Sequence, residues 1–328
     1  MSPLLTRFLL ILTAVILDWF LQEKLPFTHP VELIGMLITR LEKFLSEKFQ
    51  RSFKTGFILT AAVLLISVGF TYTILQLLHM LHPLAAAVLA LYIYYSGLAA
   101  GSLSASGRNV AKKIAEGKLQ EARDEVNMLI TRDVEKMGAE DLSRAGIETV
   151  AENMNDAVIA PLLFAFVFGP EGMIAYKTID TLDSMVGYKN EEYRKMGWAS
   201  ARLDDIASWL PARITAGCLI FAALLPGFSA RSSLSTVRSD ARKTSSPNAG
   251  YPEAAVAGAL KVRLGGPDYY FGEEVDKPYL GKHHKPCSFI ALKKAVKLIY
   301  ISEILFLVAA GFIFRFLAVT PIFSLLGG

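Results

Sequence analysis

The chain has 328 residues, 53% of them hydrophobic and 20% charged, with a formal net charge of +4 and a mean hydropathy of +0.40. Soluble domains carry about 45–50% apolar and about 25% charged residues, so this balance points to a membrane protein. So small a net charge, with no basic run interleaved with aromatics, argues against nucleic acid as a partner. The two distant cysteines, Cys218 and Cys287, match neither a metal spacing nor a disulfide scaffold.

Crossing a bilayer takes about 20 mostly apolar residues. Residues 4–20, 56–79, 83–101 and 207–228 meet that requirement, and residues 296–326 are long enough for a fifth span despite Arg315. The first stretch has no small-residue cleavage site after it and reads as a retained helix rather than a signal peptide. A further run, 157–168, is too short to cross and ends at Gly169-Pro170; it either re-enters or continues through Tyr176 at the expense of burying Glu171. The expected fold class is therefore all-α: a multipass helical integral membrane protein with about four to six membrane segments and helical polar domains at the membrane face. The expected organisation is N-terminal membrane helices over 1–101 with an amphipathic loop at 22–54. A polar helical region follows at 102–156, then an acidic core with membrane segments at 157–229. A polar loop-and-helix domain at 230–295 precedes a C-terminal membrane helix at 296–328. Arg40, Lys43, Lys48, Arg51 and Lys54 make the 22–54 loop strongly basic, which fits the cytoplasmic side.

Three polar clusters interrupt this apolar chain, and charged groups near lipid default to function because they are costly unless paired, metal-bound or wet. Glu148, Glu152 and Asp156, flanked by Asn153 and Asn155, are spaced i, i+4, i+8, which puts the acids on one face of a helix. Like charges at that spacing repel unless a cation sits between them, and Mg²⁺ typically takes one or two carboxylates plus substrate phosphates. Arg144, one turn before Glu148, offers the alternative of a surface ion-pair ladder. Asp180 and Asp183 form a second cluster, followed by Lys189 and Asn190, and Asp204 and Asp205 lie between Arg202 and Arg213. Acids that hold an ion beside arginines that grip phosphate are what a metal–phosphate site needs. All seven acids are thus candidate Mg²⁺ ligands, with Glu152, Asp183 and Asp205 as candidate catalytic groups.

The third region, RKTSSPNAGYPEAAVAGALKVRLGGPDYY, places Ser246, Asn248 and Gly250 in a loop before a helix expected from about residue 252 to 264. Pro252 sits at its start and Gly265 just beyond its end. N–H groups at such a helix start favour an anion; Glu253, Lys261 and Arg263 complete the candidate set. The small residues Ala254, Ala255, Ala257, Gly258 and Ala259 allow close approach by either a flat ligand or another helix. No phosphate loop of the G-x-x-x-x-G-K-[ST] type and no G-x-G-x-x-G fingerprint is present. The histidines His29, His79 and His82 form no triad.

At these stretches the chain resembles the adenosylcobinamide-phosphate synthase family of cobalamin biosynthesis (CobD/CbiB). The blocks that carry the resemblance are His29-Pro30-Val31, ETVAENMNDAVIAPL, TIDTLDSMVGYKNEEYRKMGW, ARLDDIASWLPARITA, SPNAGYPEAAVAGALKVRLGGPDYY and KPYLG. They run in the same order over residues 17–302. Where the family usually has Gly-Asp-Pro after its first Asp, this chain has Gln22-Glu23-Lys24. The resemblance implies a cytoplasmic-membrane ligase that joins a corrinoid carboxylate to 1-amino-2-propanol O-phosphate with ATP and Mg²⁺, its active site facing the cytoplasm. It implies small-molecule substrates and a lipid bilayer as partners, with a homo-oligomer or other corrinoid-pathway membrane enzymes as further partners. Two other classes remain open on the residues alone. One is an intramembrane prenyl- or alcohol-phosphate transferase using the paired aspartates; the other is a transporter or signalling protein on the same fold.

Overall fold

The computed structural model describes residues 3–22, 28–188, 190–270, 272–281 and 284–319. In chain order the helices are α1 (Pro3–Leu21), α2 (Pro30–Lys48), α3 (Phe53–Leu81), α4 (Pro83–Ser96), α5 (Ala100–Ala115), α6 (Leu119–Asn127) and α7 (Ala139–Met154). A π-helical turn, Asn155–Ile159, leads into α8 (Ala160–Val186), α9 (Trp198–Ala207), α10 (Trp209–Ala222), α11 (Ala230–Asp240), α12 (Gly250–Leu260) and α13 (Phe289–Val319). A short antiparallel hairpin, β1 (Asp268–Tyr270) with β2 (Glu273–Val275), is the strand pair among the described residues. The all-α, multipass expectation holds.

Local signals explain the boundaries. α2 and α4 both begin at a His-Pro pair, in which proline presets the first helical φ. The histidine Nδ1 accepts a free N–H of the first turn, His29 from Val31 at 3.3 Å and His82 from Leu84 at 3.1 Å. Two of the lone histidines in the sequence are thus helix caps. Ser52 caps α3 by accepting the Thr55 N–H at 3.2 Å. α12 begins two residues before the expected start and ends at Lys261, whose left-handed φ of 54° closes the last turn; Gly265, φ 72°, turns the chain farther on.

Among the described residues five runs are long and apolar enough to cross a membrane: Leu4–Leu21, Phe53–Leu81, Pro83–Ala115, Ala139–Val186 and Phe289–Arg315. The span expected at 207–228 is not among them. Ser208 separates α9 from α10, and α10 has 14 residues, about 21 Å of helix against a hydrocarbon core of about 30 Å. The run through Gly169 takes its place, but it is not straight. Gly169 has φ 76° and ψ −158°, a conformation essentially confined to glycine, and Pro170 restarts the helix. Phe164 and Tyr176 would be about 18 Å apart along a continuous helix, yet their ring centroids lie 5.1 Å apart. A methyl on Gly172 would come within 2.4 Å of the Phe164 carbonyl oxygen. The chain therefore doubles back at Gly169, which is the re-entrant alternative of the sequence reading. Arg7 of α1 closes the turn by donating to the Phe166 and Val167 carbonyls, each at 3.2 Å.

The chain divides into two compact units: Met1–Ala99, Ala160–Ser208 and Ala310–Gly328 form the first, and Ala100–Ile159 with Trp209–Ala309 the second. In the first unit Ile34 and Ile38 of α2 pack with Leu59 and Val63 of α3, Leu182 and Val186 of α8, and Met196. Glycines permit the approach: a methyl on Gly56 would sit 1.9 Å from the Met196 carbonyl oxygen, and one on Gly197 1.8 Å from that of Val186. In the second unit α12 is buried against α11, α10 and α7. Its small face is used by a neighbouring helix, since a methyl on Gly258 would meet the Ser232 carbonyl oxygen at 2.5 Å. That is the helix–helix alternative for Ala254–Ala259 rather than a flat ligand.

Candidate functional site

In the second unit α7 presents Arg144, Glu148 and Glu152 at successive turns. Glu148 is buried, and both its oxygens are engaged. Oε1 accepts the Gly265 N–H at 2.7 Å, and Oε2 pairs with Arg132. Asp268, also buried, takes Arg132 at 2.9 Å, Arg144 at 3.0 Å and Lys277 at 3.4 Å. Two acids thus hold three bases in one network. Burial pushes the Arg132 guanidinium down, but Glu148 and Asp268 outweigh it and hold it above its ordinary range, so it stays charged. The Arg144–Glu148 alternative noted in the sequence is present, at 4.0 Å, within a buried network rather than a surface ladder.

Glu253, in the first turn of α12, is the strongly perturbed acid. Burial first, then the negative charge of Glu152 and Glu148, raises its carboxyl well above the ordinary range, with Arg132 and Lys277 offsetting part of the rise. A pair of carboxyls that repel in this way is relieved by a cation or by a shared proton. Among the described residues no group of three or more His, Cys, Asp or Glu side chains is arranged to hold a metal ion. An Mg²⁺ held by one or two carboxylates takes its other oxygens from phosphate or water.

Asp156 follows the end of α7. The chain enters the π-turn Asn155–Ile159 one residue before it. Asn155 Nδ2 donates to Asp156 Oδ1 at 2.6 Å, and Thr215 donates to Asn155 Oδ1 at 3.2 Å. Asn153 turns back to the Thr149 carbonyl at 2.9 Å.

The loop before α12 is built around Arg213. Its guanidinium lies over Trp209 at 4.5 Å and over Tyr251 at 4.0 Å. It donates to Asn248 Oδ1 at 2.8 Å and to the Pro247 carbonyl at 3.2 Å. Ser246 Oγ accepts the N–H groups of Asn248 and Ala249, both at 3.2 Å, so two of the N–H groups expected to face an anion face a serine. Gly250 is required: a methyl there would meet the Ala241 carbonyl oxygen at 2.2 Å. Lys261 and Arg263 follow the far end of α12, about 16 Å of helix from Gly250, so they do not share one phosphate with the Ser246–Gly250 loop. Arg263 lies instead over Tyr279 at 4.9 Å.

The first unit holds the other acids. Asp180 pairs with Lys177 at 2.6 Å. Asp183 packs on Gly187, where a methyl would lie 2.0 Å from its Oδ1. Asp204 and Asp205 stand on α9, Asp205 with Arg202 at 3.2 Å on the surface. Asn190 Oδ1 caps the following turn by accepting the Tyr193 N–H at 2.9 Å. Lys189 lies outside the described residues. The candidates thus fall into two groups, one in each unit.

The family described as CobD/Cbib protein matches residues 11–299. A cobalamin biosynthesis protein CobD of Geobacter metallireducens is 42% identical over 94% of this chain and 98% of its own. One of Listeria monocytogenes serotype 4b is 39% identical over 91% and 96%, and one of Streptococcus sanguinis 38% identical over 89% and 92%. The chain belongs to the CobD/CbiB family. No solved structure matches it.

Three residues of this CobD/CbiB chain's buried network, Arg132, Asp268 and Lys277, escaped the sequence reading. Arg132 and Lys277 lie in irregular segments where no periodicity marks them. Asp268 stood in the GGPDYY block, and the signal available was Arg144, a basic residue one turn from Glu148 that needed more than one acid once buried. The thiols are accounted for: Cys218 and Cys287 are free, and burial first pushes Cys287, which donates to the Arg263 carbonyl, up to about 12.

Proposed function

We propose that this protein acts in cobalamin biosynthesis as an ATP-dependent ligase. It would join a propionate carboxylate of (adenosyl)cobyric acid to (R)-1-amino-2-propanol O-phosphate, giving (adenosyl)cobinamide phosphate. Family membership over residues 11–299 carries the reading. The Glu152–Glu253 carboxyl pair, on the same unit as the loop that Arg213 ties to Asn248, supports it by supplying acids and a cation.

A carboxylate is a poor acyl donor. In the proposed chemistry a corrinoid carboxylate oxygen bonds to the γ-phosphorus of ATP as the bond to the β-phosphate bridging oxygen breaks, releasing ADP and leaving an acyl phosphate. The amine nitrogen then attacks the acyl carbon and phosphate departs. The amine's proton passes to a carboxylate, for which Glu152 and Asp183 are the candidates. Mg²⁺ would neutralise ATP phosphate charge; Glu152 and Glu253 are its candidate holders in the second unit, and, separately, Asp180, Asp183, Asp204 and Asp205 are those the sequence offers in the first. Arg213 has the planar fork suited to phosphate. No enzyme nucleophile is needed. The site is proposed to face the cytoplasm from the cell membrane.

The test uses purified protein in detergent with cobyric acid, aminopropanol phosphate and Mg–ATP, following ADP release and corrinoid mass. A corrinoid that gains the mass of the amine less water, only with ATP, supports the ligase. Folded protein that releases no ADP and changes no mass refutes it and turns attention to isoprenoid diphosphates.

A further inference from the structure

In the second unit α10 is too short to cross a bilayer, yet it runs out into apolar side chains that face away from the protein. Phe221, Leu224 and Leu225 are exposed, Leu224 by 70%, and so are Pro226 and Gly227 beside them. Lys294, in the second turn of α13, holds this apex by donating to the Gly227 carbonyl at 3.3 Å. Basic charge gathers at the same place. Arg231 follows the apex at the start of α11, and Lys293 and Lys297 flank Lys294. All four bases are exposed. Lys293 lies over the Phe289 ring at 5.6 Å, and none of the four makes an ion pair among the described residues. The sequence offers no acid to offset them nearby, since neither residues 206–239 nor residues 277–302 include an Asp or a Glu.

Helical spacing sets the direction in which these lysines look. Ile304 and Val308, both exposed, follow Lys297 at i+7 and i+11 and so share its face. An exposed apolar stripe that turns basic at one end without rotating marks the passage from acyl chains to headgroups. Length agrees. The run Phe289–Arg315 has 27 residues, about 40 Å of helix against a hydrocarbon core of about 30 Å. All three lysines stand near its beginning, so the surplus falls at their end.

We propose that the end of α10 and the starts of α11 and α13 form a foot that docks on an anionic bilayer surface. Phe221, Leu224 and Leu225 enter the boundary between headgroups and acyl chains, and Arg231, Lys293, Lys294 and Lys297 meet lipid phosphates. A zwitterionic surface would satisfy the apolar residues equally well; the bases without acids select the anionic one.

The full chain is reconstituted into nanodiscs of phosphatidylcholine mixed with phosphatidylglycerol, and the lipids it keeps on transfer to detergent are counted by native mass spectrometry. Wild type is expected to retain phosphatidylglycerol in preference. Lys293→Gln with Lys297→Gln leaves Lys294 on Gly227 and is expected to lower that preference about 25-fold, about fivefold for each lysine. Arg231→Gln, expected to lower it about fivefold, is the second variant should the pair melt early. Lys118→Gln with Lys136→Gln removes the same charge elsewhere and is expected to leave the preference unchanged. Leu224→Trp is expected to show more quenching by brominated lipids than wild type. Retention of the two lipids in proportion to their supply overturns the proposal, as does an unchanged preference in folded variants or an equal loss in the Lys118 and Lys136 control. Inorganic phosphate that displaces the retained phosphatidylglycerol would assign the bases to a free anion and overturn it too. So would a Leu224→Trp protein with no added quenching.

Discussion

Glu148 and Glu152 are one helical turn apart, both acidic and both candidate metal ligands by sequence, yet the structure gives them opposite surroundings. Glu148 is 3% exposed and neutralises Arg132 while accepting the Gly265 N–H at 2.7 Å, whereas Glu152 is exposed. Changing Glu148 to Gln keeps an acceptor for Gly265 but leaves Asp268, with Asp141 on Arg144 alone, against Arg132, Arg144 and Lys277. Removing one partner of a buried ion pair costs about 3–5 kcal/mol, and the retained amide acceptor places this variant toward the lower end. Glu152→Gln, in contrast, is expected to fall within about 0.5 kcal/mol of wild type, as surface substitutions do. Thermal unfolding of both variants in detergent, with and without Mg²⁺, reads the difference. Glu148→Gln should melt several degrees below wild type irrespective of Mg²⁺; Glu152→Gln should melt like wild type and lose activity. A Glu148→Gln protein that melts normally, or whose deficit excess Mg²⁺ repairs, would refute the network and return Glu148 to the metal.

Three other outcomes follow from the geometry. Asp240 is lifted by burial but lowered more by Lys243 at 2.5 Å, the Gly281 N–H at 2.7 Å and Ser239, so its carboxyl lies below the ordinary range. A depressed acid stabilises above its unfolded value of about 3.9 and loses that contribution as pH falls through the folded one. Melting temperatures from pH 6 to 3 should therefore drop less steeply in Asp240→Asn than in wild type. Gly197→Ala puts a methyl 1.8 Å from the Val186 carbonyl oxygen and should cost about 1–3 kcal/mol, seen as reduced yield and an earlier melt. Arg213→Lys keeps the charge but gives up the planar stack between Trp209 and Tyr251 and the fork to Asn248 and Pro247. Weaker Mg–ATP binding together with an earlier melt is expected, and unchanged nucleotide affinity would remove Arg213 from the phosphate site.

Much of the fold was legible because apolar length and cap residues act locally. The His-Pro starts of α2 and α4 and four of the membrane runs are set by residues close to one another in the chain. The failures come from contacts across it. A 22-residue apolar stretch around Trp209 looked like a span, and nothing in its composition marks Ser208 as a break. Gly169-Pro170 was visible as an interruption, but whether the chain bends or reverses depends on Phe164 meeting Tyr176. Glu148 and Glu152 were indistinguishable as a pattern; only Arg132 and Gly265, 16 and 117 residues away, separate their roles. The π-turn that holds Asp156 has no sequence signature of its own.

The Arg7 contact to the Gly169 turn also bears on biogenesis. Arg7 is made 159 residues before the Phe166 carbonyl that it serves, and at about 5–20 residues per second the ribosome needs roughly 8–30 s to supply it. Throughout that interval a guanidinium on an apolar helix has neither carbonyl to donate to, and its position in the second turn of the helix that starts at Pro3 lets it reach toward the interface while it waits. α1 therefore becomes settled late, when the hairpin arrives, although it emerges first. An insertion fault in the hairpin would be felt in α1, 159 residues earlier in the chain.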